Sequence, residues 1–162
     1  MIRPTTPQDL EAIGAFWNPM IRDTLVTFSS EEKDPAALRQ WLAARDAQGH
    51  GSFTALLDGH PAGFASYAQF RGGNGYARSM EHTIILAPQA RGHGFGRQLM
   101  LALEDHARAR GHHVMIGGVS GGNPAGRDFH LALGYAHVAT VPQAGWKFGQ
   151  YWDLWLLQKI LT

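Results

Sequence analysis

Glu81 opens the segment EHTIILAPQARGHGFGRQLM (81–100), in which Arg91, Gly92, His93, Gly94, Phe95 and Gly96 separate an apolar β-branched run from a helix-forming one. Glycines alternating at that junction keep side chains away from a helix N-terminus, where unpaired N–H groups and the positive end of the helix dipole attract phosphate. The pattern is Arg91-x-x-Gly94-x-Gly96. It is not a triphosphate P-loop, because Arg97 and Gln98 follow Gly96 where Lys and Ser/Thr are required. Nor is it the dinucleotide fingerprint: position 97 is Arg, and the next strand ends in Gly117-Gly118 without the acidic residue that would hold a ribose. A flavin- or nicotinamide-binding protein is weakened accordingly.

Other residues with chemical potential are scattered. Glu81 stands at the head of a strand, where a carboxylate is either a solvated end or a proton acceptor. His130 lies on a predicted helix face and titrates near neutrality, which suits acid–base work, although most of the nine histidines are expected at the surface or in packing. Arg71, Tyr76 and Arg78 sit in the glycine-rich RGGNGYARS (71–79), which its glycine content alone favours as a plain mobile connection. No His-Glu-x-x-His or comparable ligand spacing occurs, and Cys is absent, so neither a metal nor thiol chemistry is expected.

The elements that must position these groups follow from periodicity and punctuation. A strand is predicted over 1–4. Thr6-Pro7-Gln8-Asp9 then opens a helix whose Leu10, Ile13, Phe16, Trp17 and Met20 share a face, and Asp34-Pro35 opens a second through Leu38, Trp41 and Leu42. Asp58-Gly59 divides two apolar runs as a hairpin turn, with strands near 52–57 and 61–69. A strand over 80–86, a long helix ending at Gly111, the buried strand HVMIGGV, a helix from Asn123-Pro124 to Gly134, and the strands YAHVATV and YWDLWLLQKIL complete the chain. The expected fold is α/β: one domain over 1–162, with a mixed, mostly antiparallel central sheet flanked by helices.

The bulk numbers narrow the partners. A chain of 162 residues, 44% hydrophobic, can bury a core as one domain. Its 14 basic and 13 acidic residues leave a formal charge of +1, which gives no electrostatic footprint for nucleic acid or an anionic membrane. The first ten residues lack the apolar core of a signal peptide and no 18-residue apolar run occurs, so a soluble cytoplasmic protein is expected.

Arg91-x-x-Gly94-x-Gly96 between a strand and a helix resembles the pyrophosphate loop of the GCN5-related N-acetyltransferases (GNAT), Gln/Arg-x-x-Gly-x-Gly/Ala. Asn123-x-x-Gly126-x-x-x-His130-x-x-x-Gly134-Tyr135 resembles the superfamily's second signature, with Gly126 in place of Ala and His130 in place of Tyr. Together with EHTIIL, WNPMIRDTLVTF (17–28) and GWKFGQYWDLWLLQK (145–159), the resemblance is to the phosphinothricin and methionine sulfoximine acetyltransferase branch, and it runs from residue 2 to 161. The chain departs from that branch at Tyr151, which takes a tryptophan's place.

The resemblance implies the GNAT fold and direct transfer of acetyl from acetyl-CoA to the amine of a small amino acid or analogue. It implies Glu81 as general base and His130 as a second proton-transfer group. Ile84, Ile85 and Leu86 would hold the pantetheine arm along a splayed strand, with an Ile84 or Ile85 amide facing the oxyanion. Arg91, Gly92, His93, Gly94, Phe95, Gly96 and Arg97, with Asn123, would hold the remainder of the cofactor. Phe28, Arg71, Tyr76 and Arg78 are the substrate-side candidates, and a homodimer is implied by analogy. Two rivals share the fold: a protein or peptide amine acetyltransferase, and a catalytically idle CoA-binding module.

Overall fold

Residues 1–162 are described in the computed structural model. The chain runs β1 (Ile2–Pro4), α1 (Leu10–Asp23), α2 (Pro35–Gln48), β2 (Ser52–Leu57), β3 (His60–Gln69), β4 (Ser79–Leu86), α3 (Phe95–Ala109), β5 (Val114–Ser120), α4 (Pro124–Ala132), β6 (Ala136–Lys147) and β7 (Gln150–Ile160). One mixed sheet has the strand order β1-β2-β3-β4-β5-β7-β6, in which only β4 and β5 are parallel neighbours. That pair needs a crossover, and α3 supplies it. The expected mixed, mostly antiparallel α/β architecture is the one observed.

Local chemistry explains the element ends. The Asp34 side chain accepts the Ala37 amide at 2.8 Å, with Pro35 at the first helical position, and Gly49 ends α2 with φ 67°. Asp58 and Gly59 turn the β2–β3 hairpin with φ of 50° and 80°. The strand expected to stop near residue 141 instead continues to Lys147. β6 lies at the sheet edge, where the missing amide of Pro142 breaks no ladder, and the register shifts between Val141 and Gly145.

Two cores lie on opposite faces of the sheet. On one, Ile13, Phe16, Trp17 and Ile21 of α1 and Leu38 and Leu42 of α2 pack on Phe64, Ile85 and Ala87. On the other, Leu99, Met100, Leu103 and Ala107 of α3 pack on Ala65, Tyr67, Met80 and Met115. Side chains alternate along a strand, so β4 presents Glu81, Thr83 and Ile85 to the α1/α2 face and His82, Ile84 and Leu86 to the α3/α4 face.

Five histidines are held below their ordinary pKa, each chiefly by burial: His50, His82, His106, His112 and His130. His82 is pushed down to about 3, with His130 adding to the shift. Above the unfolded value of 6.5 both states are neutral at these rings. Below it the unfolded chain binds protons that the folded chain refuses, so stability falls with falling pH until the folded values are passed. Thermal unfolding is therefore expected at a lower temperature at about pH 5 than at about pH 7.5, a window above most carboxylate titration. An equal or higher Tm at the lower pH would show that these rings are not buried neutral.

Candidate active site

β4 and β5 pair from Ser79↔Val114 to His82↔Gly117 and then part. β4 continues with β3 as far as Gly63↔Leu86, while β5 continues with β7 to Ser120↔Leu154. A cleft of about 580 Å³ occupies the gap and opens on both faces. The Phe70 amide donates to the Ser79 carbonyl at 2.9 Å and the Ala87 amide to the Ala62 carbonyl at 2.8 Å. In an antiparallel pair this phase alternates, so the odd residues of β4 spend their main-chain groups on β3. Ile84 and Leu86 therefore turn theirs toward the side that β5 has left. Of the two amides expected to face an oxyanion, Ile85 is directed at Phe64 on β3, and Ile84 is the one that remains.

Two glycines face this gap from β5. A Cβ on Gly117 would lie 2.9 Å from His130 Nε2 and 3.0 Å from His82 Cε1, and one on Gly118 would lie 3.0 Å from Glu81 Oε2. Glu81 and His130 thus line one cleft from opposite faces of the sheet. The Glu81 carboxylate has no hydrogen-bond or ion-pair partner in the chain, and burial pushes its pKa up.

His130 is buried, with Nδ1 2.6 Å from the Gly126 carbonyl and Nε2 3.0 Å from His82 Nε2; the two imidazoles stack at 4.9 Å. A carbonyl only accepts, so Nδ1 of His130 carries the proton, its Nε2 is the lone pair, and His82 donates from Nε2. His82 Nδ1 is then a buried acceptor without a partner in the chain. Tyr135 stands edge-on to both rings and donates to buried Glu104 at 3.0 Å, while Lys159 donates to the same carboxylate at 2.8 Å.

At the start of α3, Gly92 and Gly94 have φ of 80° and 74°, the left-handed region that glycine occupies without strain. No side chain caps the helix, so the Phe95, Gly96 and Arg97 amides are free for an external acceptor. Gly96 has a different reason from the one its spacing suggests: its Cβ would come within 2.9 Å of the Phe129 ring, so it permits α3–α4 packing. His93 stacks on Phe95 at 5.7 Å. Asn123 caps α4 by accepting the Gly126 amide at 3.1 Å and lines the cleft.

On the α1/α2 side the cleft wall includes Phe28, whose ring lies against Gly145. Arg71, Tyr76 and Arg78 do not line it; the Arg71 guanidinium rests 5.4 Å from the Tyr76 ring. The segment carrying Phe28 is fastened by Lys147, a buried ammonium that donates to the carbonyls of Ile21 and Thr24 at 2.6 Å and of Thr27 at 2.7 Å. Burial lowers its pKa. Neither Lys147 nor His82 had been assigned a role from sequence. Their partners are 126 and 48 residues away, a separation that local spacing does not carry.

The chain is similar to known proteins in sequence and in fold. The Acetyltransferase (GNAT) family model matches residues 17–135. The chain is similar to the L-methionine sulfoximine/L-methionine sulfone acetyltransferase of Pseudomonas paraeruginosa, 35% identical over 97% of this chain and 92% of that one. It is similar to the solved ribosomal-protein-alanine N-acetyltransferase of Brucella melitensis, with a TM-score of 0.95 and 37% identity over 99% of each chain. It is also similar to a phosphinothricin acetyltransferase from Sinorhizobium meliloti in complex with acetyl-CoA, with a TM-score of 0.94 and 25% identity over 99% of this chain and 87% of that one.

Lys147→Met should release the 24–28 segment by removing three hydrogen bonds while roughly preserving volume. A loss of about 2 kcal/mol in unfolding free energy is expected from denaturant titration, because three carbonyls lose a charged donor. An unchanged midpoint would mean that solvent replaces the ammonium without cost.

Proposed function

This chain belongs to the acetyltransferase (GNAT) family, and from that premise we propose that it acetylates the amine of a free amino acid or amino-acid analogue, with Glu81 as the base. It is an acetyl-CoA-dependent N-acetyltransferase. The observation that carries the reading is the uncommitted Glu81 carboxylate in the cleft, raised in pKa by burial. An amine whose pKa lies between about 8 and 10.4 pays roughly 1.4 to 4.6 kcal/mol to lose its proton at pH 7, and a base with raised pKa beside it reduces that barrier.

In the proposed sequence Glu81 takes a proton from the substrate ammonium. The nitrogen then attacks the thioester carbonyl carbon, the carbon–sulfur bond breaks to release CoA as its thiolate, and the second proton shed by the acylated nitrogen neutralises that thiolate. The Ile84 amide is assigned to the developing oxyanion, since its direction toward the gap suits a donor fixed in advance. His130 is left as a support rather than the proton acceptor: both of its ring nitrogens are engaged and burial keeps it neutral. Arg91, Gly92, His93, Gly94, Phe95, Gly96 and Arg97 are assigned to the pyrophosphate and Ile84–Leu86, with Asn123, to the pantetheine arm. The chain supports this with a bare α3 N-terminus and with unpaired β4 groups. Phe28 is assigned to the substrate wall, and Arg71, Tyr76 and Arg78 to the approach outside the cleft lining.

A peptide amine is the second reading, favoured by the likeness to the Brucella protein. We assign the enzyme to the cytoplasm, where acetyl-CoA is available, and as a homodimer. Trp146, Phe148 and Tyr151 stand exposed near the β6–β7 turn and Val138 and Val141 along β6, an apolar edge that a second copy would cover.

A thiol-release assay with acetyl-CoA across the common amino acids, methionine sulfone, methionine sulfoximine, phosphinothricin and an alanine-ended peptide tests the substrate. A free amino acid or analogue should turn over fastest; turnover of the peptide alone would replace this reading with the second. Glu81→Gln should lower kcat by about 10² to 10⁴ with little change in acetyl-CoA affinity. The deficit should narrow as pH approaches the amine's own pKa; a constant deficit would make Glu81 an orienting group. Gly94→Glu should weaken acetyl-CoA binding, by strain at positive φ and by charge at the helix start. Equal affinity in a folded variant would remove the loop from cofactor binding.

A further inference from the structure

Only three Asp, Glu, Lys or Arg side chains line the cleft: Lys33, Arg45 and Glu81. Glu81 is the carboxylate already discussed; the two cations have no role in that chemistry. Arg45 is the more telling. Its guanidinium makes no hydrogen bond and no ion pair, and its Nε is enclosed without any partner. Arg3 and Arg108, by contrast, have acceptors: Arg3 reaches Asp9 twice at 2.8 Å, and Arg108 reaches Asp105 at 2.7 Å. A planar fork of donors partly shut away from water and left without an acceptor is costly, and burial alone lowers its pKa.

The wall behind it is aromatic. The Trp17 and Trp41 rings meet edge to face at 5.3 Å and both pack against Phe64. Arg45 lies 5.7 Å from the Trp41 ring and Lys33 Nζ lies 4.9 Å from the Trp17 ring, so the aromatic pair holds two cations on one wall. Lys33 also lacks a carboxylate partner, and neither cation is within ion-pair distance of Glu81. The cleft therefore has a carboxylate for a cationic group and, apart from it, unspent donors for an anionic one.

We propose that Arg45, with Lys33 beside it, binds a carboxylate or other oxygen acceptor of the substrate on the Trp17–Trp41 wall while Glu81 receives the amine. The inference rests on the free amino-acid reading above and names the residues that would hold the substrate's other end. The acceptor is either the α-carboxylate or the oxygens of a side-chain terminus, an anionic phosphinate or a neutral sulfone. Both present the acceptor geometry that a guanidinium fork fits.

The test compares wild type, Arg45→Gln and Arg45→Lys with methionine sulfone, its decarboxylated amine, and methionine as the thioether control. Arg45→Gln should raise KM for methionine sulfone about 10- to 100-fold with kcat nearly unchanged, since a ground-state contact is lost, and Arg45→Lys should fall between. If the decarboxylated amine is unaffected, the carboxylate is the ligand. If the amine suffers as well while methionine does not, the sulfone oxygens are. Equal KM values for wild type and Arg45→Gln on methionine sulfone would overturn the proposal. Unaltered acetyl-CoA binding certifies the fold, and Arg45→Lys carries the comparison should Arg45→Gln fail that check.

Binding without acetyl-CoA, followed by tryptophan fluorescence as methionine sulfone is added, separates the two claims. Should wild type bind it without acetylating any amino acid, and the variant not bind it, the proposed function falls and the subsite stands. A variant that binds as wild type does sinks the subsite whatever the activity.

Discussion

The parting of two parallel strands is the constraint on which the rest of the molecule turns. β4 and β5 pair over four residue couples and then separate, so each leaves main-chain groups unpaired on the facing edge. Such edges are costly when enclosed and available when a ligand supplies the missing partner. The separation is held open by what stands in it. The stacked His82 and His130 rings press on Gly117 from one face and the Glu81 carboxylate on Gly118 from the other. A side chain at either glycine would need the space that one of those groups occupies. On their outer sides both strands stay fully laddered, to β3 and β7, which keeps the opening local.

The groups around the opening are fixed by a second layer of partners whose chemistry is largely electrostatic. Gly126 sets the His130 tautomer and the Asn123 cap sets the position of Gly126. Tyr135 and Lys159 converge on the buried Glu104 carboxylate, and burial together with that carboxylate holds the Tyr135 phenol protonated. Lys147 does for the α1–α2 connection what Glu104 does for the α3/α4 face. One buried ion fixes several main-chain or side-chain groups that would otherwise wander. Within this frame Glu81 is the carboxylate left free, and Arg45 the guanidinium left unmatched.

The local grammar of the fold was legible in the amino-acid sequence. Asp34-Pro35, Asp58-Gly59, Gly111 and Asn123-Pro124 each acts within a few residues of itself, and each marked an element end that the structure keeps near its expected position. The glycine loop between β4 and α3, the Glu81 position and the order of strands and helices were readable for the same reason. So was the resemblance that led to the acetyltransferase family. β6 was the exception, because whether Pro142 ends a strand depends on whether a neighbour needs its amide, and only the sheet order answers that.

What tertiary structure alone decided is which groups meet. Alternation along β4 put Glu81 on one face of the sheet and His82, with His130 of α4 stacked on it, on the other. The phase of the β3–β4 ladder left the Ile84 amide, and not that of Ile85, toward the gap. Gly96 looked like a phosphate-loop residue and is buried against Phe129. Lys147 looked like one basic residue in an aromatic tail and proved to hold carbonyls 120 to 126 residues away. Arg71 and Arg78, the substrate-side candidates that the resemblance implies, lie outside the cleft lining, whereas Arg45, one of two arginines on α2, is part of it. Sequence spacing carries the period of a helix or strand and the chemistry of a turn. The partner of a buried charge or an unpaired amide is chosen by the packing of elements distant in the chain, which spacing does not carry.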